Sequence, residues 1–166
     1  MPRIQAVAFD LGNTLVYEDS VLEPQVRPMP GVLEALPAIS LPIAVWTNTR
    51  REGAAEVSRW LRSAGIDKFF SSIATSVDAG ARKPAEEFFR FALARWGRAK
   101  DEVLFVCNQL NTDVLGASRF GIRTAWIAAP EFRGPEETLE LKDVQPSFVL
   151  PDLEALPELL ERLARP

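Results

Sequence analysis

Short apolar runs alternate along this chain with segments of helical period. Val7 to Phe9, Ile43 to Trp46, Ile73 to Thr75, Val103 to Val106 and Thr124 to Ile127 each read as a buried strand, because such runs are too short for an ordinary helix and end in polar or turn-forming residues. Between them apolar positions recur at helical spacing: Val57, Trp60, Leu61 and Ala64, then Phe88, Ala92 and Trp96, and near the end Leu153, Leu156, Leu160 and Leu163. These are packing faces. Strands alternating with helices predict βα units and an α/β sandwich with a central, mainly parallel sheet. The length of 166 residues suits one domain over residues 1–166. Pro84, followed by Glu86 and Glu87, marks a helix start. Thr112 and Asp113 precede Val114, Leu115 and Ala117, which predicts a capped helix beside the end of the fourth strand. Two irregular stretches, 17–30 and 128–147, follow strand ends and read either as lids or as plain surface connections.

The ends of these strands carry the polar residues that matter. Asp10 stops the first run, and in an open α/β sheet that edge is where ligands bind. A carboxylate there can act as nucleophile, metal ligand or both, or merely accept hydrogen bonds in a turn. Thr47 and Asn48 end the second run, Lys83 stands just before the third helix, and Asn108 to Asp113 follow the fourth strand. Singly, these residues read as a strand-end cap, a solvated charge and a helix cap. In this order, each just beyond a buried strand, they form a constellation.

Composition narrows the chemistry. The net charge of -4 leaves no electrostatic footprint for nucleic acid, whose binding depends on neutralising phosphates. The chain has no histidine, and Cys107 is its one cysteine, so any metal must sit on oxygen ligands and no internal disulfide forms. Cys107 reads as a small apolar filler at a strand end. No stretch approaches the roughly 18 apolar residues of a membrane span. The expectation is therefore a cytoplasmic protein with no membrane or nucleic-acid partner.

The motifs together resemble the haloacid dehalogenase superfamily of aspartate-nucleophile hydrolases. The first motif is similar to Phe9-Asp10-Leu11-Gly12-Asn13-Thr14-Leu15, the second to Val45-Trp46-Thr47-Asn48, and the third to Arg82-Lys83-Pro84. The fourth resembles Val106-Cys107-Asn108 through Asp113-Val114-Leu115-Gly116-Ala117, and Phe120 to Trp126 resembles the strand that follows it. The resemblance implies a Rossmann-like three-layer fold and a magnesium-dependent phosphatase acting on a phosphorylated substrate. Asp10 would attack phosphorus, and Lys83 would orient it and screen the phosphoryl oxygens. Thr47, Asn48 and the backbone amides around Leu11 and Gly12 would cradle those oxygens. Asp10, the Gly12 carbonyl and Asn108 would hold magnesium, with Asp113 holding metal-bound water.

The chain departs from the family pattern at three points. Gly12 stands where phosphatases of the family carry a second aspartate as general acid and base, help typically worth about 10²–10⁴-fold. Asn108 replaces the carboxylate that binds the metal, so magnesium should bind weakly. Neither segment 15–42 nor segment 48–83 has room for a large cap domain, which leaves an open site that loops or a second copy of the chain would cover. Two other functions stand beside the phosphatase: a catalytically impaired fold that binds a phospho-ligand or a protein, and a haloacid dehalogenase, whose members also lack the second aspartate.

Overall fold

The computed structural model describes residues 2–129, 131 and 138–165. Six strands, β1 (Ala6–Phe9), β2 (Ile43–Thr47), β3 (Phe70–Thr75), β4 (Val103–Cys107), β5 (Arg123–Ile127) and β6 (Phe148–Leu150), form one sheet in the order β3-β2-β1-β4-β5-β6. Every pairing is parallel. The helices are α1 (Val32–Ala38), α2 (Ala54–Ser63), α3 (Ser76–Ala79), α4 (Glu86–Trp96), α5 (Leu115–Phe120) and α6 (Leu156–Ala164). This is the α/β arrangement around a parallel sheet that the apolar pattern predicts, in the Rossmann-like form that the resemblance implies.

Side chains of a strand alternate between faces, and here both faces are covered. Val7, Phe9, Ile43, Val45, Leu104 and Val106 meet residues of α1, α2 and α6 on one side. Ala6, Ala8, Ala44, Trp46, Phe105 and Cys107 meet residues of α4 and α5 on the other. Small alanines on the second face leave room for Trp46, whose ring lies 5.3 Å from Phe105 and 6.2 Å from Phe89. Burial on both faces is why these strands read as continuous apolar runs rather than alternating ones.

Several elements differ from the expectation. The helix expected at Pro84 starts at Glu86, with Ala85 as its N-cap residue in extended geometry. The expected cap at Thr112 and Asp113 is instead a π-helical turn, Leu110–Val114, that runs directly into α5, so both residues lie inside a helical segment. Strand β6 went unforeseen. Segment 10–42 holds a 3-10 turn, Glu18–Leu22, and α1, and the connection from β2 to β3 holds α2 and a short 3-10 turn, so neither carries a cap-sized insertion. Of the stretch 128–147, residues 130 and 132–137 lie outside the described residues. The stretch 17–30 is pinned on itself. The Ser20 hydroxyl donates to the Tyr17 carbonyl at 2.7 Å and accepts from the Arg27 amide at 2.9 Å.

The topology fixes where a crevice opens. The chain moves from β1 outward to β2 and β3, then crosses back to β4 on the other side of β1. Strand order therefore reverses between β1 and β4, and the C-terminal ends of that pair are the expected ligand edge. Asp10 follows β1 and Asn108 follows β4 directly.

Candidate active site

Asp10 is held at the end of β1 by its backbone amide, which donates to the Val106 carbonyl at 2.9 Å. It is 7% exposed. Lys83 reaches it from the loop before α4, and the Lys83 Nζ has three oxygen acceptors: Asp10 Oδ1 and Asp113 Oδ1, both at 2.8 Å, and the Trp46 carbonyl at 2.9 Å. An ammonium carries three N–H donors, so each finds a partner. Burial works against the charge on Lys83, yet the carboxylates of Asp10 and Asp113 outweigh it and hold the group above the ordinary lysine range. Burial pushes the Asp113 carboxyl up to about 7, with the Asp10 charge adding to the shift and Lys83 opposing it.

Two features bring Lys83 to this position. Asn48 clasps its main chain: the Lys83 amide donates to Asn48 Oδ1 at 2.9 Å and Asn48 Nδ2 donates to the Lys83 carbonyl at 3.0 Å. Gly116 in α5 faces the same loop, and a Cβ there would lie 2.8 Å from Pro84 Cα and carbonyl oxygen. Real Cβ atoms do not approach backbone so closely, so any side chain at 116 would push α5, and Asp113 with it, away from Lys83.

The structure brings Asp10, Lys83 and Asp113 into one buried cluster and sets Asn108 and Thr47 at the same sheet edge, both nearly buried. The expected division of labour shifts in two places. The Asn48 side chain, expected to donate to phosphoryl oxygens, is engaged at both ends by the Lys83 main chain. Asp113, expected to hold metal-bound water, is an ion-pair partner of Lys83. Thr47 donates to the Asn48 carbonyl at 3.3 Å, a long contact that a better acceptor would displace. Leu11 and Gly12 line a cavity of about 430 Å³ together with Glu18, Thr47 and Trp60. Glu18 carries no motif and was not foreseen. It occupies the space a side chain at Gly12 would fill, since a Cβ on Gly12 would meet Glu18 Cβ and Cγ at 3.3 Å.

The donor set is compatible with a hard cation. Asn108 Oδ1 and Asp113 Oδ2 are buried without a hydrogen-bond partner, and buried polar atoms ordinarily have one, whether protein, water or ion. All candidate ligands are oxygens, as magnesium prefers. Among the described residues no group of three His, Cys, Asp or Glu side chains forms a metal cluster. The site instead offers two carboxylates, an amide oxygen and a backbone carbonyl, and so less negative charge than three acids would. The Asn108 backbone is fixed by Trp126 Nε1, which donates to its carbonyl at 3.0 Å.

The fold and its crevice define an α/β protein with a carboxylate and a lysine paired at the switch point. Residues 7–127 match the family of haloacid dehalogenase-like hydrolases, and the chain belongs to that family. It is similar to the glyceraldehyde 3-phosphate phosphatase of Methanocaldococcus jannaschii, with 26% identity over 145 residues that cover 84% of this chain and 59% of that protein. It is also similar to (S)-2-haloacid dehalogenase 2 of a Pseudomonas species, with 27% identity over 134 residues, covering 81% of this chain and 55% of the relative. A crystal structure of an uncharacterized protein from Listeria monocytogenes serotype 4b superposes with a TM-score of 0.81 at 28% identity, covering 96% of this chain and 98% of that one. The chain thus spans little more than half the length of these two curated relatives.

Proposed function

We propose that the protein is a magnesium-dependent phosphatase that uses Asp10 as nucleophile on a phosphomonoester. The observation that carries this reading is the one-sided anchoring of Asp10. Lys83 holds Oδ1 at 2.8 Å, and among the described residues Oδ2 has no protein partner, which leaves it to attack phosphorus. A carboxylate approaching an anionic phosphoryl group meets repulsion, and the Lys83 ammonium lies where that charge must be offset. Asp113 shares the lysine and keeps it charged, while Asn48 fixes its main chain. Thr47 and the amides around Leu11 and Gly12 stand ready to donate to phosphoryl oxygens. Asp10, the Gly12 carbonyl and Asn108, with Asp113 behind them, would hold magnesium, which when bound would neutralise charge on the transferred group. Kinship with a phosphatase over most of the chain supports the same reading.

A dehalogenase reading draws support from the Pseudomonas relative and from Gly12. A binding module that no longer turns over is favoured by Gly12 and Asn108 together. Turnover separates all three. The purified protein is expected to hydrolyse p-nitrophenyl phosphate with magnesium, and Asp10→Asn to reduce the rate to background while leaving the fold intact. Chloride release from 2-chloropropionate without phosphatase activity would establish the dehalogenase instead. Retention of inorganic phosphate with no turnover of either probe would leave the binding module.

A further inference from the structure

We infer that the substrate is a small phosphomonoester whose alcohol portion carries a second anionic group, received by Arg50 and Arg51. This rests on the phosphatase reading above and names the substrate class for that site.

The two arginines follow Thr47 to Thr49 on the loop leaving β2, and both line the cavity that reaches Leu11, Gly12 and Thr47. Their loop is pinned from several sides. The Thr49 amide donates to Ser76 Oγ at 2.8 Å, the Thr49 hydroxyl donates to the Glu52 carbonyl at 2.7 Å, and Arg82 Nη1 donates to the Thr49 carbonyl at 2.6 Å. Glu52, the acid on the same loop that could neutralise the arginines, faces its own main chain: its Oε2 accepts from the amides of Arg50 at 3.1 Å and Arg51 at 3.0 Å. Those main-chain bonds, that of Arg51 foremost, hold Glu52 below the ordinary carboxylate range against the effect of burial, with the charge of Arg50 contributing least.

The guanidinium groups themselves have no hydrogen bond and no ion pair among the described residues. Arg27, Arg59, Arg62 and Arg90 elsewhere on the surface each meet a carboxylate, whereas Arg119 and Arg162 meet none among the described residues, so what sets Arg50 and Arg51 apart is their place on the cavity wall. A loop with a fixed backbone that carries two exposed arginines on the wall of a cavity offers planar cations to an anion bound there. Val21, Leu22 and Trp60 add apolar surface that suits a compact carbon skeleton, and the two carboxylates on the same wall are each engaged by neighbours, Glu18 by Asn13 Nδ2 and Glu52 by the amides of its own loop. A volume of about 430 Å³ matches small-molecule sites.

Two anions fit a guanidinium pair, a carboxylate and a second phosphate, and matched probes separate them. 3-Phosphoglycerate differs from glycerol 3-phosphate in carrying a carboxylate, and fructose 1,6-bisphosphate differs from fructose 6-phosphate in carrying a second phosphate. Each is measured as a substrate, or as a competitor of p-nitrophenyl phosphate turnover, with the wild type and with the Arg50→Gln/Arg51→Gln double variant.

The wild type is expected to favour the doubly charged member of at least one pair by about fivefold, the worth of an ion pair at an exposed site. The double variant should bring that ratio close to one, mainly through KM. A preference in the first pair assigns a carboxylate and in the second a phosphate. Ratios near one in the wild type, or ratios that the double variant leaves unmoved, overturn the inference, whether both activities fall together or neither does. If those failures occur while p-nitrophenyl phosphate is still hydrolysed in an Asp10-dependent way, the phosphatase reading survives alone. If p-nitrophenyl phosphate is not hydrolysed either, both fall.

Discussion

Replacing Lys83 by Met removes the cation from a buried cluster while roughly keeping its volume, and the structure sets the size of the effect. Lys83 is 3% exposed, and its Nζ lies 2.8 Å from both Asp10 and Asp113. Breaking a buried ion pair by removing one partner costs about 3–5 kcal/mol, and here two carboxylates and the Trp46 carbonyl lose their donor together. The loss should depend on pH. In the wild type the folded Asp113 carboxyl titrates at about 7 against an ordinary value of 3.8, so between these values the folded state binds more protons than the unfolded one. Stability therefore falls as pH rises through that window, by at most about 1.4 kcal/mol per pH unit. Without Lys83 the Asp113 carboxyl moves higher still, and the decline should continue beyond pH 7. Urea unfolding without magnesium at pH 5 and pH 8 measures this. Lys83→Met should lose more stability at pH 8 than at pH 5, and Lys83→Met with Asp113→Asn should recover much of the difference. A deficit below about 1 kcal/mol that is equal at both pH values would show that the cluster is not held by charge.

Two further outcomes test individual residues. Asn108→Asp should tighten magnesium binding about tenfold by calorimetry, since it adds a charge at an orphaned oxygen; an unchanged Kd would remove Asn108 from the ligand set. Gly12→Asp should cost about 1–3 kcal/mol in urea unfolding because its Cβ would meet Glu18 at 3.3 Å. Glu18→Ala in the same chain removes the Cγ and Cδ contacts but keeps the Cβ one, so it should relieve part of the cost, and equal stability of the two variants would mean that the Glu18 side chain beyond Cβ does not limit that space.

The sequence made the sheet and the strand-end site legible for one reason: the apolar runs are buried on both faces and stop where the chain meets solvent, so the polar residue after each run had to lie at the sheet edge. Asp10, Thr47 and Asn108 were placed at that edge in this way, whereas Lys83, which lies beyond α3 in the loop before α4, was placed there by the resemblance of Arg82-Lys83-Pro84 to a family motif. Strand β6 was not, because Phe148–Leu150 is short, pairs on one side only and leaves Val149 52% exposed. Asp113 reads as a helix cap because Asp before an apolar helical run usually is one. Only the close approach of α5 over Gly116, a tertiary contact with no local signature, turns it toward Lys83. Glu18 escaped for a similar reason. Its relation to Gly12 comes from the fold of the segment 10–30, where the Glu18 amide donates to Asn13 Oδ1 at 3.0 Å and Asn13 Nδ2 returns a bond to Glu18 Oε2 at 3.3 Å.

The departure at Asn108 looks different once the cluster is known. Asp10 and Asp113 share a single ammonium, so the three side chains carry at most one net negative charge, and less when Asp113 takes up a proton near pH 7. A third carboxylate at 108 would attract a divalent cation more strongly, but it would also repel the phosphoryl group that comes up against Asp10 in the proposed reaction. Two unit charges about 4 Å apart interact by roughly 4 kcal/mol at an effective dielectric constant near 20, so both effects are large enough to matter and they oppose each other. In the proposed site a neutral amide would weaken metal binding and lower the barrier to anion approach in one change. The two arginines on the neighbouring loop would act in the same sense, since the carboxylates beside them, Glu18 and Glu52, are engaged by Asn13 and by loop amides rather than by the guanidinium groups. If the protein is the phosphatase proposed above, it would rely less on the cation and more on fixed protein charge to hold its anionic substrate, and Asn108→Asp should weaken inorganic phosphate binding as it strengthens that of magnesium.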